Sequence, residues 1–349
     1  MSDQMELPWR DITSPNPFFV ERLPLISRLY LMGFHNFKRR VWKRLFKRPA
    51  RWLFDFAYHV LKLGGEGILD FRQGGETKKL SFDARSLHFS SVYSYHRDQV
   101  FEPQVMGLLE LLLRGDDVFI DIGANWGMET LHAAALENWR GDIHAFEPVP
   151  ATFADLYSLV HQAGLEDRVH CHNTALSNEA GVATMQYSDG FSSGTAAISN
   201  AGDAAGGVSV TKTRLDDLGL PDPAFIKLDV EGHEARALEG AAQMIARSRP
   251  FIIFETWFSE KNFKDSEDVF EVLDDMGYVF FRPAWGLKTA NGISVWPHTQ
   301  PPSHTGRLFT LIPMNDRIRP FMAQHVDIFA CHRERLDDLE QRFGGGRIS

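Results

Sequence analysis

The sequence is poor in cysteine: its 349 residues include only Cys171 and Cys331, which lie far apart. Two isolated cysteines support neither a disulfide framework nor a CxxC metal site, so we expect a reducing compartment. The chain also lacks an uninterrupted apolar stretch long enough to span a bilayer, and its N-terminus lacks the pattern of a secretory signal. These absences predict a cytoplasmic protein that is either soluble or peripheral at a membrane.

Positive charge is scarce over the chain as a whole, whose formal net charge is −9. This balance disfavours nucleic-acid binding by the whole surface. One segment differs, because Phe34 to Trp52 carries eight Lys or Arg and no acid. Its apolar residues Phe34, Phe37 and Val41 recur at helical spacing, which predicts an amphipathic basic helix. Such a helix can cover the core, lie on an anionic membrane or bind RNA, in that order of preference.

From Val118 onward, short apolar strands alternate with helices, which is the pattern of a parallel α/β sheet. The predicted strands are Val118–Ile122, Ile143–Glu147, Val169–Asn173, Phe225–Asp229, Phe251–Glu255, Tyr278–Phe281, Leu308–Ile312 and Val326–Ala330. The predicted helices are Gly127–Leu136, Ala151–Gln162, Glu231–Ala246 and Ser266–Met276. Upstream, a "QGGET" turn predicts a hairpin between Gly67 and Asp83.

These patterns divide the chain into four parts. They are a basic, aromatic helical extension (1–66), a hairpin and helix that lead into the core (67–115), the α/β domain (116–331) and a polar tail (332–349). The α/β pattern breaks at about 181–213, which predicts an insertion over the site. This insertion contains the Ser- and Gly-rich stretch "GFSSGT", which can close over a ligand or serve as a linker.

The stretch "VFIDIGANWG" predicts a nucleotide site, because a strand that ends at Asp121 is followed by a turn with Gly123, Asn125 and Gly127 and then by a helix. A strand–turn–helix of this kind brings the backbone close to a bound ligand. The next strand ends at Glu147, where a carboxylate can accept hydrogen bonds from both ribose hydroxyls. The glycines lack the G-x-G-x-x-G spacing that a pyrophosphate needs. A nucleoside without a pyrophosphate, such as S-adenosylmethionine, therefore fits better than a dinucleotide.

The segments "DIGANWG", "HAFEP", "TALS", "TRLDDL", "IKLDVEGHEARALEGA" and "PFIIFET" occur in this order between roughly Asp116 and Trp257. Their combination resembles the FkbM family of S-adenosylmethionine-dependent methyltransferases. The resemblance implies a Rossmann-like class I methyltransferase fold, with a mostly parallel, doubly wound sheet of seven strands that ends in one antiparallel strand. It also implies methyl transfer, commonly to oxygen. The expected cofactor residues are Asp121 and Gly123 at the methionine portion, Glu147 at the ribose, Asn125 and Gly127 in the turn, and Asn173, which contacts the adenine edge or satisfies its own turn.

Candidates for the chemistry lie in "KLDVEGHE". Asp229 ends a strand at the ligand side, and Glu231, His233 and Glu234 begin the next predicted helix. A carboxylate or a histidine there can remove the proton of a hydroxyl acceptor, so we take Asp229, Glu231 and His233 as catalytic candidates. Glu234 either faces the cleft or caps the helix.

A divalent metal is the second role open to this segment. Asp229 together with Glu255, at the end of the next strand, would supply two oxygen ligands. No third ligand is evident in the sequence, so metal dependence stays open.

The sequence thus predicts an S-adenosylmethionine-dependent methyltransferase that acts on a hydroxyl of a glycan, a lipid-linked sugar or a secondary metabolite. The basic segment at 34–52 adds peripheral membrane contact as an expectation. An RNA or protein methyltransferase and a noncatalytic nucleotide-binding relative are the alternatives, and an NAD(P) oxidoreductase is disfavoured by the glycine spacing. The acceptor and the oligomeric state cannot be read from the sequence.

Overall fold

The computed structural model describes residues 7–35, 49, 51–92, 101–187, 196–199, 207–258, 263–290, 292–296, 301–302, 307–314 and 324–344. The helices are α1 Leu25–His35, α2 Pro103–Leu112, α3 Met128–Ala135, α4 Pro150–Ala163, α5 Glu234–Glu239, α6 Ala242–Ser248, α7 Phe263–Asp275 and α8 Leu336–Gly344. The first strands are β1 Arg10–Asp11, β2 Phe18–Arg22, β3 Glu66–Gln73, β4 Glu76–Asp83, β5 Val118–Ile122, β6 Ile143–Phe146, β7 Val169–His172 and β8 Ala175–Leu176. The later strands are β9 Gly181–Tyr187, β10 Ala196–Ser199, β11 Val208–Thr213, β12 Pro223–Leu228, β13 Phe251–Phe258, β14 Tyr278–Thr289, β15 Gly292–Trp296, β16 Leu308–Pro313 and β17 Gln324–His332.

The main sheet has the strand order β1-β16-β14-β17-β13-β12-β5-β6-β7, and β15 pairs with β14. Strands β13, β12, β5, β6 and β7 run parallel, whereas β17 runs antiparallel to both β13 and β14. The winding reverses at β5, since the chain moves outward to β6 and β7 and then returns to β12 on the other side. Among the seven strands β7-β6-β5-β12-β13-β17-β14, only β17, the last in the chain, runs antiparallel to the others, which confirms the Rossmann-like class I methyltransferase fold. The sheet has ten strands rather than the seven expected, because β15, β16 and β1 extend it through antiparallel pairs.

The parallel strands form because both of their faces are covered. Phe119 and Phe251 lie in an apolar cluster on one side of the sheet, and Ile120 and Ile252 lie in a second cluster on the other side. Strands buried on both faces read as continuous apolar runs rather than as alternating ones. The carboxylates Asp121, Glu147 and Asp229 lie at the carboxyl ends of these strands, where the chain leaves the core.

The prediction of one continuous helix over Glu231–Ala246 is wrong. The structure has two shorter helices there, α5 and α6, and residues 231–233 form a turn in which Glu231 has a left-handed φ of 53°. The break between the helices lies at Gly240, where a Cβ would overlap the carbonyl oxygen of Ser177. Close packing against the β8 turn therefore interrupts a helix that the apolar spacing alone would continue.

Part of the predicted helical extension (1–66) is strand. Strand β1 pairs with β16 in the main sheet, and β2 pairs with β3, whereas residues 25–35 and 51–60 are helical. The division of the chain at residue 66 stays a prediction. Strands β2, β3 and β4 form a sheet of three strands. Most of the predicted basic helix, residues 36–48, lies outside the described residues. Among the described helices, none has the length and apolar character required for a membrane span.

The C-terminal part is more ordered than a polar tail would be. Helix α8 buries Leu339 and Phe343 in the main core, and the guanidinium of Arg342 pairs with Asp117. The insertion at 181–213 contains β9, β10 and β11, which form a small sheet with β8. Its "GFSSGT" stretch and the end of the tail lie outside the described residues.

Candidate active site

The turn after β5 requires glycine at two positions. Gly123 has φ +79° and Gly127 has φ +93°, and a Cβ would overlap the carbonyl oxygen of Asp229 at the first and the side chain of Leu156 at the second. L-residues other than glycine are strained at such φ values even where space is available. The turn therefore holds β5, β12 and α4 close together.

The backbone N–H groups of this turn are used within the protein. Those of Gly123 and Ala124 both donate to the carbonyl oxygen of Phe146, at 3.0 and 2.9 Å, and that of Gly127 donates to Ala124 at 2.8 Å. A dinucleotide site needs such groups for its pyrophosphate. Their internal use agrees with the glycine spacing, which disfavours a pyrophosphate ligand.

Glu147 lies directly after β6 and is fixed by two backbone donors. Its Oε2 accepts the N–H of Asn125 at 3.1 Å, and its Oε1 accepts the N–H of Val149 at 2.9 Å. The side chain is only 6% exposed, and burial raises the pKa of Glu147 to about 7. Each carboxylate oxygen can accept a second hydrogen bond. Glu147 is thus a rigid acceptor for two further donors, such as a pair of vicinal hydroxyls.

Asn173 holds the turn that follows Glu147. Its Nδ2 donates to the carbonyl oxygens of Glu147 and Pro148, at 2.9 and 3.0 Å. Of the two roles that the sequence leaves open for Asn173, these contacts describe the turn-satisfying one.

Lys227 is the site residue that the sequence analysis missed. It is 5% exposed, lies beside Asp121 in the β5–β12 pairing, and donates to the carbonyl oxygen of Gly123 at 3.0 Å. Its Nζ lies 3.4 Å from Asp229 Oδ2 and 3.7 Å from Asp121 Oδ1. Burial opposes its charge, but the carboxylates of Asp229 and Asp121 outweigh this effect and raise the pKa of Lys227 well above its usual range. A single lysine inside the apolar run "FIKL" was the available signal.

Further carboxylates surround this lysine. Asp121 is fully buried, accepts a hydrogen bond from Thr130 Oγ1 at 2.6 Å, and has a pKa that burial raises. Burial also raises the pKa of Glu129 to about 7. At the start of α2, burial and then the charges of Glu129 and Asp327 raise the pKa of Glu102 well above its usual range. The carboxyl edge of the sheet therefore concentrates carboxyl groups around the buried cation Lys227.

Asp229, Glu231 and Glu255 converge at this edge, each with a carboxylate oxygen within 4.8 Å of the others. Glu231 reaches the cluster through its left-handed backbone conformation, and Glu255 comes from the middle of β13, opposite Asp327 in β17. A small cleft beside the cluster is lined by Glu102, Lys227, Asp229, Glu255 and Asp327, among others. Grouped carboxylates of this kind can accept a proton or coordinate a hard cation.

Two other candidates of the same segment have structural contacts. Glu234 Oε1 accepts the N–H groups of Val230 and Gly232, at 3.1 and 3.2 Å, so it stabilises the turn before α5. His233 Nε2 lies 3.0 Å from Ser177 Oγ, and burial lowers the pKa of His233 to about 4. A histidine with so low a pKa is a weak base at neutral pH. We therefore do not assign proton transfer to His233.

The fold and this site define a Rossmann-like class I methyltransferase domain. Residues 121–280 match the family model of the methyltransferase FkbM domain. This match covers 160 of the 349 residues and confirms the resemblance to the FkbM methyltransferase family seen in the sequence.

Two curated relatives each match part of the chain. The hexuronic acid methyltransferase AglP of Haloferax volcanii is 30% identical over 159 residues, which cover 46% of this chain and 64% of that protein. The 31-O-demethyl-FK506 methyltransferase FkbM of Streptomyces tacrolimicus is 31% identical over 37% of this chain and 60% of that protein. The chain thus spans less than two thirds of the length of these relatives. Among solved structures, the methyltransferase FkbM of Methylobacillus flagellatus KT is 14% identical over 82% of this chain and 76% of that one, with a TM-score of 0.37.

Proposed function

We propose that this protein transfers a methyl group from S-adenosylmethionine to a hydroxyl group on a glycan, a lipid-linked sugar or a secondary metabolite. The observation that carries the proposal is the buried carboxylate of Glu147, fixed beside a glycine turn whose N–H groups bond internally. The relatives support the acceptor class, since one is named for a hexuronic acid and the other for the 31-O position of FK506.

The residues after β5 and β6 fit this cofactor. Glu147 would accept the ribose hydroxyls on its two remaining acceptor sites, and Asp121, Gly123 and Gly127 would shape the wall at the methionine portion. Asn125 adds a specific sign of a ligand, because its Oδ1 is buried and has no hydrogen-bond partner among the described residues. Buried polar atoms in folded proteins are nearly always satisfied. Bound S-adenosylmethionine would supply an electrophilic methyl group on its sulfonium.

The chain's own part in the reaction is to position the acceptor and to take its proton. We assign this proton to a carboxylate oxygen of the Asp229–Glu231–Glu255 cluster, of which Asp229 and Glu255 line the small cleft. Holding two reacting groups in place supplies much of the rate enhancement in such a displacement. Lys227 fixes the geometry, since it joins Asp229 to the turn carbonyl of Gly123.

Metal dependence stays a prediction for the same cluster. Three carboxylate oxygens are ligands that Mg²⁺ and Mn²⁺ accept. Calorimetric titration with Mn²⁺ separates the two roles of the cluster. Saturable binding that is lost in Glu255→Gln would place a cation there, whereas the absence of binding would leave proton transfer to the carboxylates alone.

The proposed activity is tested by incubating the full chain with methyl-labelled S-adenosylmethionine and separate acceptors. These acceptors are uronic-acid glycans, lipid-linked sugars, polyhydroxylated macrolides and RNA. Label in a hydroxyl-bearing small molecule or glycan, abolished in Glu231→Gln and retained in Glu76→Gln at the exposed start of β4, would support the proposal. Label in RNA would favour the RNA methyltransferase instead. Binding of NAD in place of the cofactor would revive the oxidoreductase. The cytoplasmic location stays a prediction.

A further inference from the structure

Exposed apolar side chains are concentrated in one part of the molecule. Of the fourteen large apolar side chains that are well exposed in the described part of the chain, eight lie between residues 25 and 63. They are Leu25, Leu29, Trp52, Leu53, Phe56, Val60, Leu61 and Leu63. We propose that this docking segment, residues 25–63, binds the surface of an anionic lipid bilayer.

The exposure of these side chains is fixed by a packed interior. Helix α1 and residues 51–60 pack through Tyr30, Phe54 and Tyr58, with ring centroids 4.8 Å apart in each successive pair. The hydroxyl of Tyr58 lies 2.7 Å from Ser27 Oγ, which in turn donates to the carbonyl oxygen of Ala84 after β4. The inner sides of both elements are therefore tied to the folded protein.

The outer sides carry the apolar surface. Leu25 and Leu29 lie one helical turn apart on α1, and Trp52 stacks on Phe56 with the ring planes 7° apart. Trp52 remains 66% exposed in spite of this stacking. Exposed aromatic and aliphatic side chains in one contiguous region mark a binding surface rather than ordinary surface composition.

The charge of the docking segment selects the partner. Residues 25–63 contain ten Lys or Arg and a single acid, Asp55, which gives a formal charge of +9. Because the whole chain carries −9, the remaining residues carry −18. Asp55 itself pairs with Arg51, and the basic residues Arg28 and Lys62 are exposed.

An anionic bilayer can accommodate both the exposed apolar side chains and the basic side chains of the docking segment. Anionic headgroups attract the basic residues, and the boundary of the acyl chains accepts Trp, Phe and Leu. RNA offers phosphates but no apolar phase for the aliphatic side chains, and an apolar protein groove offers no counter-charge for the basic residues. The anionic bilayer is therefore the occupant that the segment fits.

The experiment is co-sedimentation of the full chain with vesicles. One set contains phosphatidylcholine alone, and the other contains phosphatidylcholine and phosphatidylglycerol in equal parts. We expect sedimentation with the anionic vesicles only, and a decrease in binding at high salt. The double variant Trp52→Ser, Phe56→Ser should bind these vesicles at least about tenfold more weakly, since two interfacial anchors are lost. Arg28→Gln with Lys62→Gln should weaken binding by about tenfold as well.

The matched control is Tyr157→Ser, which removes an equally exposed aromatic side chain from α4, outside the docking segment. This variant should sediment like the wild type, and all variants should bind S-adenosylhomocysteine unchanged, which shows that they are folded. Equal binding to neutral and anionic vesicles, no sedimentation, or full binding by the Trp52 and Phe56 variant would overturn the proposal. Tight binding to RNA without vesicle binding would also overturn it. The proposed methyl transfer does not depend on the outcome.

Discussion

The carboxyl edge of the main sheet and the docking segment differ in the sign and the burial of their charged side chains. At the edge, Asp121, Asp229 and their neighbours lie around Lys227, a buried cation. In the docking segment, ten basic residues accompany the single acid Asp55, and the described cations Arg28 and Lys62 are exposed. A buried charge that loses its partner is costly, whereas an exposed charge is solvated and contributes little to stability. Substitutions at the edge should therefore damage the fold and the site, and substitutions in the docking segment should spare both.

The largest effect should come from Gly123→Ala, which breaks the edge itself. The new Cβ would overlap the carbonyl oxygen of Asp229, so β5 or the chain after β12 must move. We expect a loss of about 3 kcal/mol or more in the free energy of unfolding and no binding of S-adenosylhomocysteine. Urea denaturation and calorimetry measure the two effects.

The control for that variant is Gly74→Ala in the β3–β4 turn. Gly74 also has a positive φ, +57°, but a Cβ there meets open space. Only the backbone strain remains, so its loss should be about 1 kcal/mol. Equal losses of unfolding free energy in the two variants would contradict the claim that close packing against Asp229 requires glycine at position 123.

Lys227→Met should have the next largest effect, because it leaves buried carboxylates without their cation. We expect a loss of about 3–5 kcal/mol at about pH 8. The pKa of Asp121, which burial already raises, should rise further in the variant. The folded variant then takes up a proton that the unfolded chain does not hold, so its stability relative to the wild type should recover as the pH falls toward about 5.

Urea denaturation at both pH values measures this effect. Lys212→Met is the control, since Lys212 pairs with the exposed Glu179 and should contribute less than about 1 kcal/mol. A loss from Lys227→Met that is the same at both pH values would rule out uncompensated buried carboxylates as its cause.

The pH dependence of cofactor binding tests whether Glu147 binds the ribose as an ionised carboxylate. Its pKa is about 7 in the free protein, and only the ionised carboxylate accepts hydrogen bonds from both ribose hydroxyls. The affinity for S-adenosylhomocysteine should therefore fall about tenfold per unit as the pH decreases below about 7. In Glu147→Gln the affinity should be lower and independent of pH. Calorimetry from about pH 8 to about pH 6 tests this prediction.

Glu129→Gln is the matched control for this experiment. Glu129 is also buried and also has a pKa of about 7, but the backbone N–H groups of Asn125 and Val149 donate to Glu147. This variant should keep the pH dependence. A flat profile in the wild type, or a flat profile in Glu129→Gln alone, would show that Glu147 is not the titrating group.

The smallest effect on stability should come from the docking segment. Arg28→Gln with Lys62→Gln should change the free energy of unfolding by no more than about 0.5 kcal/mol, because both side chains are exposed. Thermal denaturation measures the change. A loss above about 2 kcal/mol would mean that the charges of the docking segment stabilise the fold. The docking segment would then not differ in this respect from the carboxyl edge of the main sheet.

Local patterns were sufficient to predict the first half of the site. Asp121 and Glu147 each follow a short apolar run and precede a turn, so the ends of β5 and β6 could be read directly. Strand direction then placed both at one edge of the sheet. The two glycines could be recognised as turn residues, although the N–H of Gly123 donates to the carbonyl oxygen of Phe146, which is distant in sequence.

The second half of the site depends on contacts that no local pattern contains. Lys227 meets Asp121 only through the pairing of β5 with β12, and Glu255 meets Asp327 only through the pairing of β13 with β17. The apolar spacing places the start of this helix at residue 231, whereas α5 begins at Glu234, so His233 precedes the helix and its catalytic role stays a prediction. Helical spacing therefore does not apply to His233, and its ring is held against Ser177 instead.

Our central claim is that Glu147 and the glycine turn after β5 bind S-adenosylmethionine. Calorimetric titration with S-adenosylhomocysteine tests it most directly, with NAD as the competing ligand and Glu147→Gln as the variant. We expect saturable, one-to-one binding of S-adenosylhomocysteine to the wild type and no binding of NAD. Binding of S-adenosylhomocysteine should be at least about tenfold weaker in the variant, because a charged double acceptor is lost. Binding of NAD, or equal affinity of wild type and Glu147→Gln for S-adenosylhomocysteine, would contradict this claim.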